Sequence, residues 1–110
     1  MGTPSPARTT FGCEVVELHD EVLVAAAGDL DIRAVDEFRQ RLADATRPGK
    51  PLFIDLTAAT FIDGRGYRAI RAAASWLPGA DLPVTVATSS ALAAAVLQAI
   101  GGSLIRVQLS

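Results

Sequence analysis

Leu52-Phe53-Ile54-Asp55-Leu56-Thr57-Ala58-Ala59-Thr60-Phe61-Ile62-Asp63-Gly64-Arg65-Gly66-Tyr67-Arg68-Ala69-Ile70 is the stretch on which the reading of this chain turns. Its first five residues form a short, mostly apolar run, the pattern of a strand buried in a sheet. Thr57 to Ile62 reads as a loop leading to an acidic residue. After Asp63, two glycines and an arginine precede a helix predicted from about Arg65 to Leu77. Tyr67, Ile70, Ala74 and Leu77 would be its inward face, and Pro78-Gly79 its stop.

The flanking segments extend this strand–loop–helix unit in both directions. Upstream, Phe11 to Leu18 alternates loosely, and Val22 to Ala27 is a short apolar run that Gly28 would end. His19-Asp20-Glu21 between them reads as a hairpin turn. Asp31 is the expected N-cap of the next helix, because its carboxylate can accept from free backbone N–H groups. Val35, Phe38, Leu42 and Ala45 form that helix's apolar stripe, and Arg47-Pro48-Gly49 would close it. Downstream, Leu82 to Ala87 reads as a strand and Ser89 or Ser90 as a helix cap. Leu92, Val96, Leu97 and Ile100 would then be the core face of a third helix. Gly101-Gly102 gives a left-handed exit, and Leu104 to Leu109 a last strand. The order ββαβαβαβ predicts a mixed sheet with right-handed crossovers, its later strands parallel and helices packed on it.

Composition narrows the function classes. The 110 residues are half apolar, which suits one domain with a modest core, residues 11–110, behind a Pro/Ser/Thr-bearing tail over residues 1–10. No apolar run approaches the roughly 18 residues that cross a bilayer, and the first residues lack a signal peptide's hydrophobic core. A cytoplasmic protein without direct membrane insertion is expected. Net charge is −2 with one lysine, Lys50, among ten basic residues, and aromatic residues are few, so nucleic acid is not an expected partner. The lone Cys13 reads as a small core residue rather than a reactive thiol.

Several segments together carry a family resemblance. Val22 to Asp31 is similar to the "apolar strand, Gly-(Glu/Asp)-Leu-Asp" signature of STAS domains, the bacterial anti-sigma-factor antagonists and their relatives. Phe53-Ile54-Asp55-Leu56, Thr60-Phe61-Ile62-Asp63 and Gly66 resemble the family's central motif, and Ala95 to Arg106 its third helix, glycine exit and following strand. The resemblance runs from about Cys13 to Gln108. It implies a SpoIIAA-like α/β fold with the family's final helix absent, and a face that is open or shared in a homodimer. It also implies a non-enzymatic binding module, without a cofactor, whose partner is a kinase-like, ATP-binding anti-sigma factor. Two other family roles stay open: an accessory subunit of a membrane transport complex, and a sensor of a small ligand such as a nucleotide or lipid.

The family's central motif carries a phosphorylatable serine after the Asp, at a helix start where free N–H groups and the helix dipole favour an anion. Here that position is Gly64, which has no hydroxyl, and Arg65 follows where a small residue is usual. Gly64 also has a purely structural reading as a tight loop-to-helix entry. Gly66 is expected to allow close packing rather than to cradle a phosphate. By resemblance, the partner surface comprises Asp29, Asp31, Thr60, Asp63, Arg65, Gly66, Tyr67 and Arg68. Arg65, Arg68 and Arg71 are expected on one side of their helix. Asp29, Asp31 and Asp63 are expected along one sheet edge, in capping and loop hydrogen bonds rather than as a metal site. His19, the single histidine, sits in a turn with no nucleophile near in sequence, and no catalytic residue is expected.

Overall fold

The computed structural model describes residues 10–47, 49–76 and 84–110. The expected tail, and the expected stops and starts at Pro48, Leu77, Pro78-Gly79 and Leu82, lie partly or wholly outside those residues. Five strands, β1 (Gly12–Glu17), β2 (Val22–Leu30), β3 (Leu52–Ile62), β4 (Val84–Thr88) and β5 (Ile105–Leu109), form one sheet in the order β1-β2-β3-β4-β5. β1 runs antiparallel to β2, and the remaining pairs are parallel. The helices are α1 (Val35–Ala45), α2 (Gly64–Trp76) and α3 (Ala91–Gly101), with a 3₁₀ turn at Gly102–Leu104 before β5. This is the expected mixed sheet, with helices packed on it.

Strand side chains alternate faces, so one parity of each strand meets the helices. Val22, Val24, Leu52, Ile54, Val84, Val86 and Ile105 join Phe38 and Leu42 of α1, Ile70 and Ala73 of α2, and Leu97 of α3 in a single buried cluster. Phe11 packs edge-on to Phe38, with ring centroids 6.2 Å apart, and so fastens the lead into β1 to α1.

Local sequence signals failed in three places. Thr57 to Ile62, expected to be a loop, continues β3, and β2 runs past Gly28 to Leu30. The small and polar residues of this stretch lack the alternation of a strand. Their backbone groups are satisfied because β2 lies alongside, pairing Ala27 with Ala58 and Leu30 with Ile62. Two register shifts, each giving β3 one extra residue, accommodate the pairing, and the second begins at Gly28, whose φ is +83°. The core face of α3 was the second, where of the four expected residues only Leu97 is fully buried. Leu92 is 75% exposed and Val96 and Ile100 are only half-buried, while Ala93, Ala94, Leu97 and Gly101 face inward. An almost wholly apolar helix offers no polar face from which to read its phase. Ser90 sets the start, its hydroxyl accepting from Ala93 N at 3.1 Å. Gly101 then packs where a Cβ would stand 2.6 Å from the Ile105 Cβ, and Gly102 turns out at φ +54°.

The third failure is the entry to α1. Asp31 does not cap the helix proper, which begins at Val35 behind Ala34. Its carboxylate instead accepts from Arg33 N at 3.0 Å, while its carbonyl accepts from Ala34 N and Val35 N. Asp31 thus closes a turn one step ahead of the helix.

Candidate functional site

Parallel strands β2 and β3 end side by side, and α1 and α2 both start from that edge, the place where open α/β sheets present their ligand-facing loops. Backbone hydrogen bonds tie the two ends: Asp63 N donates to Leu30 O at 2.8 Å. Asp63 is also the cap of α2. Its Oδ1 accepts from Arg65 N at 2.8 Å, and its carbonyl accepts from Gly66 N and Tyr67 N. An acid at this point is favoured by the partial positive charge of the helix N-terminus.

The edge brings most of the expected residues together, and its three acids have separate partners. The Thr60 hydroxyl donates to Asp29 Oδ1, joining β3 to β2 across the bulged segment. Asp31 pairs with the Arg33 guanidinium at 3.1 Å, and this contact chiefly holds its carboxyl below the usual Asp range. The three acids therefore share an edge but not a centre, and among the described residues no group of three His, Cys, Asp or Glu side chains is placed to hold a metal ion. Tyr67 is half-buried against the core, and that desolvation raises its phenol pKa.

The glycines of the motif differ from one another. Gly66 is buried, and a Cβ there would meet Leu30 Cδ2 at 2.8 Å and Ile62 Cγ2 at 3.2 Å. It lets the start of α2 lie on the ends of β2 and β3. Gly64 is exposed, is not among the positive-φ glycines, and a Cβ there would meet nothing within 4 Å. Neither close approach nor unusual backbone demands glycine at position 64, which removes its structural reading. A side chain there would project into solvent from the first turn of α2.

Arg65, Arg68 and Arg71 do not form one stripe. Each three-residue step falls about 60° short of a full helical turn. Arg65 and Arg68 line the side of α2 toward α1, whereas Arg71 Nε donates to Ile100 O at the end of α3. Lys50 lies at the opposite end of the sheet, where its Nζ donates to Glu17 Oε2 and Leu18 O, both at 2.9 Å. That hydrogen bond is the main reason the Glu17 carboxyl sits below its ordinary pKa.

Two exposed apolar side chains at this edge escaped the sequence reading: Ile32, 57% exposed in the turn before α1, and Phe61, 53% exposed two residues before Asp63. An apolar residue inside a stretch read as turn or loop was the signal available. No helix among the described residues is long and apolar enough to cross a membrane.

Comparison with known proteins matches this architecture. Structures similar in fold include an anti-sigma factor antagonist from Mycobacterium paratuberculosis, with a TM-score of 0.74 and 18% identity over 91% of this chain and 88% of that one. The anti-sigma factor antagonist SpoIIAA in its unphosphorylated form follows, with a TM-score of 0.68 and 18% identity over 92% and 89%. A protein of the DUF3478 family with a SpoIIAA-like fold, from Shewanella loihica, gives 0.56 and 12% identity over 99% and 93%. No curated protein matches the chain. At these identities the likeness is one of fold. The family model described as "Mlab, STAS domain" matches residues 13–105, most of the segment in which the sequence resemblance was found. On that match, the chain belongs to the STAS domain family.

Proposed function

We propose that this protein is a non-enzymatic, cytoplasmic antagonist that docks a kinase-like anti-sigma factor through the β2/β3 edge and the start of α2, and that it is not switched by phosphorylation at the usual position. The observation that carries this reading is the Asp63–Gly64 entry to α2. Asp63 caps the helix, Gly66 seats it on Leu30 and Ile62, and position 64 is presented to solvent without a hydroxyl. Asp29, Asp31, Thr60, Tyr67, Arg65 and Arg68 supply the polar surround, with Ile32 and Phe61 as apolar contacts. A phosphoryl group at position 64 would bring close to two negative charges to the docking surface. Gly64 keeps that surface permanently unphosphorylated at this position.

The test is calorimetric titration of an anti-sigma kinase encoded beside this gene, together with a phosphorylation assay of the wild type and Gly64→Ser. Binding is expected for both proteins without ATP. With ATP, only Gly64→Ser should gain the mass of one phosphate mapped to position 64 and release the kinase. Absence of binding by the wild type would overturn the antagonist reading, and a phosphate on the wild type that weakens binding would overturn constitutive docking.

A further inference from the structure

We propose that the groove between α1 and α2 is a docking trough for an acidic amphipathic helix of a partner protein. This deepens the antagonist reading, sharing Arg65 and Arg68 with its surface and adding Arg39, Ile32 and Trp76. The groove has a volume of about 480 Å³ and an apolar floor of Val35, Ala69 and Ala72. It shares Asp36 and Arg39 with a second depression of about 370 Å³ that Trp76 also lines. Two large exposed apolar side chains line these depressions, Ile32 at 57% and Trp76 at 45% exposure.

Charge selects the occupant. Arg39 on α1 and Arg65 and Arg68 on α2 face the groove, with Asp36 as its one carboxylate among the described residues, a cationic strip on a chain of net charge −2. None of these three guanidinium groups forms an ion pair among the described residues, whereas Arg33, Arg47 and Lys50 are each paired with an acid. Planar guanidinium groups suit carboxylates, and Arg65 and Arg68, three residues apart, lie one turn from each other along the rim. The eleven residues of α1 give the trough a length of about 16 Å, three helical turns. A helix laid along it would set apolar side chains at i, i+3 or i+4 and i+7 on the floor, with Asp and Glu flanking them against the arginines. The apolar floor is recessed between two helices, which suits an inserted helix better than a flat lipid surface.

Trp76 is the only tryptophan, so its fluorescence reports occupancy of the groove in the full-length protein. The probe is a synthetic peptide of about 18 residues, long enough to span the trough as a helix, with leucines on one face and glutamates beside them. Its controls are a scrambled peptide of the same composition and a version with lysine for glutamate. The expected result is a saturable change in Trp76 emission with micromolar affinity for the acidic peptide alone, weakened at least about tenfold by Arg39→Glu or Arg68→Glu and reduced by added salt. Both substitutions are on exposed positions, and circular dichroism checks that the fold is kept. No saturable change up to about 1 mM, a response too weak for specific docking, would overturn the proposal. Equal binding of the scrambled peptide or by the Glu variants would do the same. A Trp76 shift on phosphatidylglycerol vesicles but not with peptide would replace the helix by a membrane surface, also overturning it. The titration contains no anti-sigma factor, so its failure strikes the groove alone. Failure of the kinase to bind while the peptide does strikes only the antagonist reading.

Discussion

Gly64 and Gly66 lie two residues apart and are predicted to respond in opposite directions to the same methyl group. At Gly64 the added Cβ meets nothing within 4 Å and the backbone lies outside the positive-φ region. Alanine there removes unfolded-chain entropy and improves helix propensity, so Gly64→Ala is expected to stabilise by about 0.4–1 kcal/mol. At Gly66 the Cβ would stand 2.8 Å from Leu30 Cδ2, 3.1 Å from Leu30 Cγ and 3.2 Å from Ile62 Cγ2. Leu30 is fully buried and cannot swing into solvent. Overpacking of this kind costs about 1–3 kcal/mol, against which the same entropic gain of roughly 0.5 kcal/mol is small. The two variants should therefore differ by at least about 1 kcal/mol, or roughly 4–8 °C in Tm for a domain of about this size. Urea and thermal unfolding followed by circular dichroism measure both. If Gly64→Ala loses as much stability as Gly66→Ala, position 64 needs glycine for structural reasons, and the reasoning from its open surroundings fails. If Gly66→Ala is as stable as the wild type, α2 is not seated by close approach to Leu30, and the packing account of the motif fails.

Three further outcomes are expected. Leu97→Ala in α3 should cost about 2–5 kcal/mol and Leu92→Ala less than about 0.5 kcal/mol, since Leu97 is fully buried and Leu92 is 75% exposed; equal losses in urea unfolding would refute the assigned helix phase. Burial pushes the Cys13 thiol up to about 11 from an ordinary value of 9.0, with Arg41 opposing it, so its reaction with a disulfide reagent at pH 8 should be at least about tenfold slower than in the unfolded chain. Because the folded state keeps a proton that the unfolded state releases, the Cys13 contribution to stability is complete below about pH 9 and lost as pH rises toward 11. Cys13→Ala should flatten that decline, and an unchanged slope between those pH values would refute the assignment.

How legible each element was depended on how far its sequence signal was local. The stripe Val35, Phe38, Leu42, Ala45 alternates with polar residues, and all four are buried as that spacing requires. Leu52 to Leu56 and Val22 to Ala27 are bounded apolar runs and form central strands. Thr57 to Ile62 carries no such alternation, and only its neighbour β2 makes it a strand. The apolar letters of α3 could not choose a face, and packing against β4 and β5 chose Ala93, Ala94 and Leu97. At the candidate site, Asp63, Gly64 and Arg65 were readable as a motif. The joining of Asp29 to Thr60 across two strands, and the parting of Arg71 from Arg65 and Arg68, were not.

The sequence by itself determined the order of elements, the family and the absence of a hydroxyl at position 64, because each is written in residue identity and short-range spacing. The tertiary structure alone decided why the two motif glycines differ. Whether a Cβ fits depends on atoms brought close by folding: Leu30 and Ile62 crowd Gly66, while nothing approaches Gly64. It likewise decided that Arg39, some 26 residues before Arg65, shares a groove with it, because α1 and α2 lie side by side on one face of the sheet.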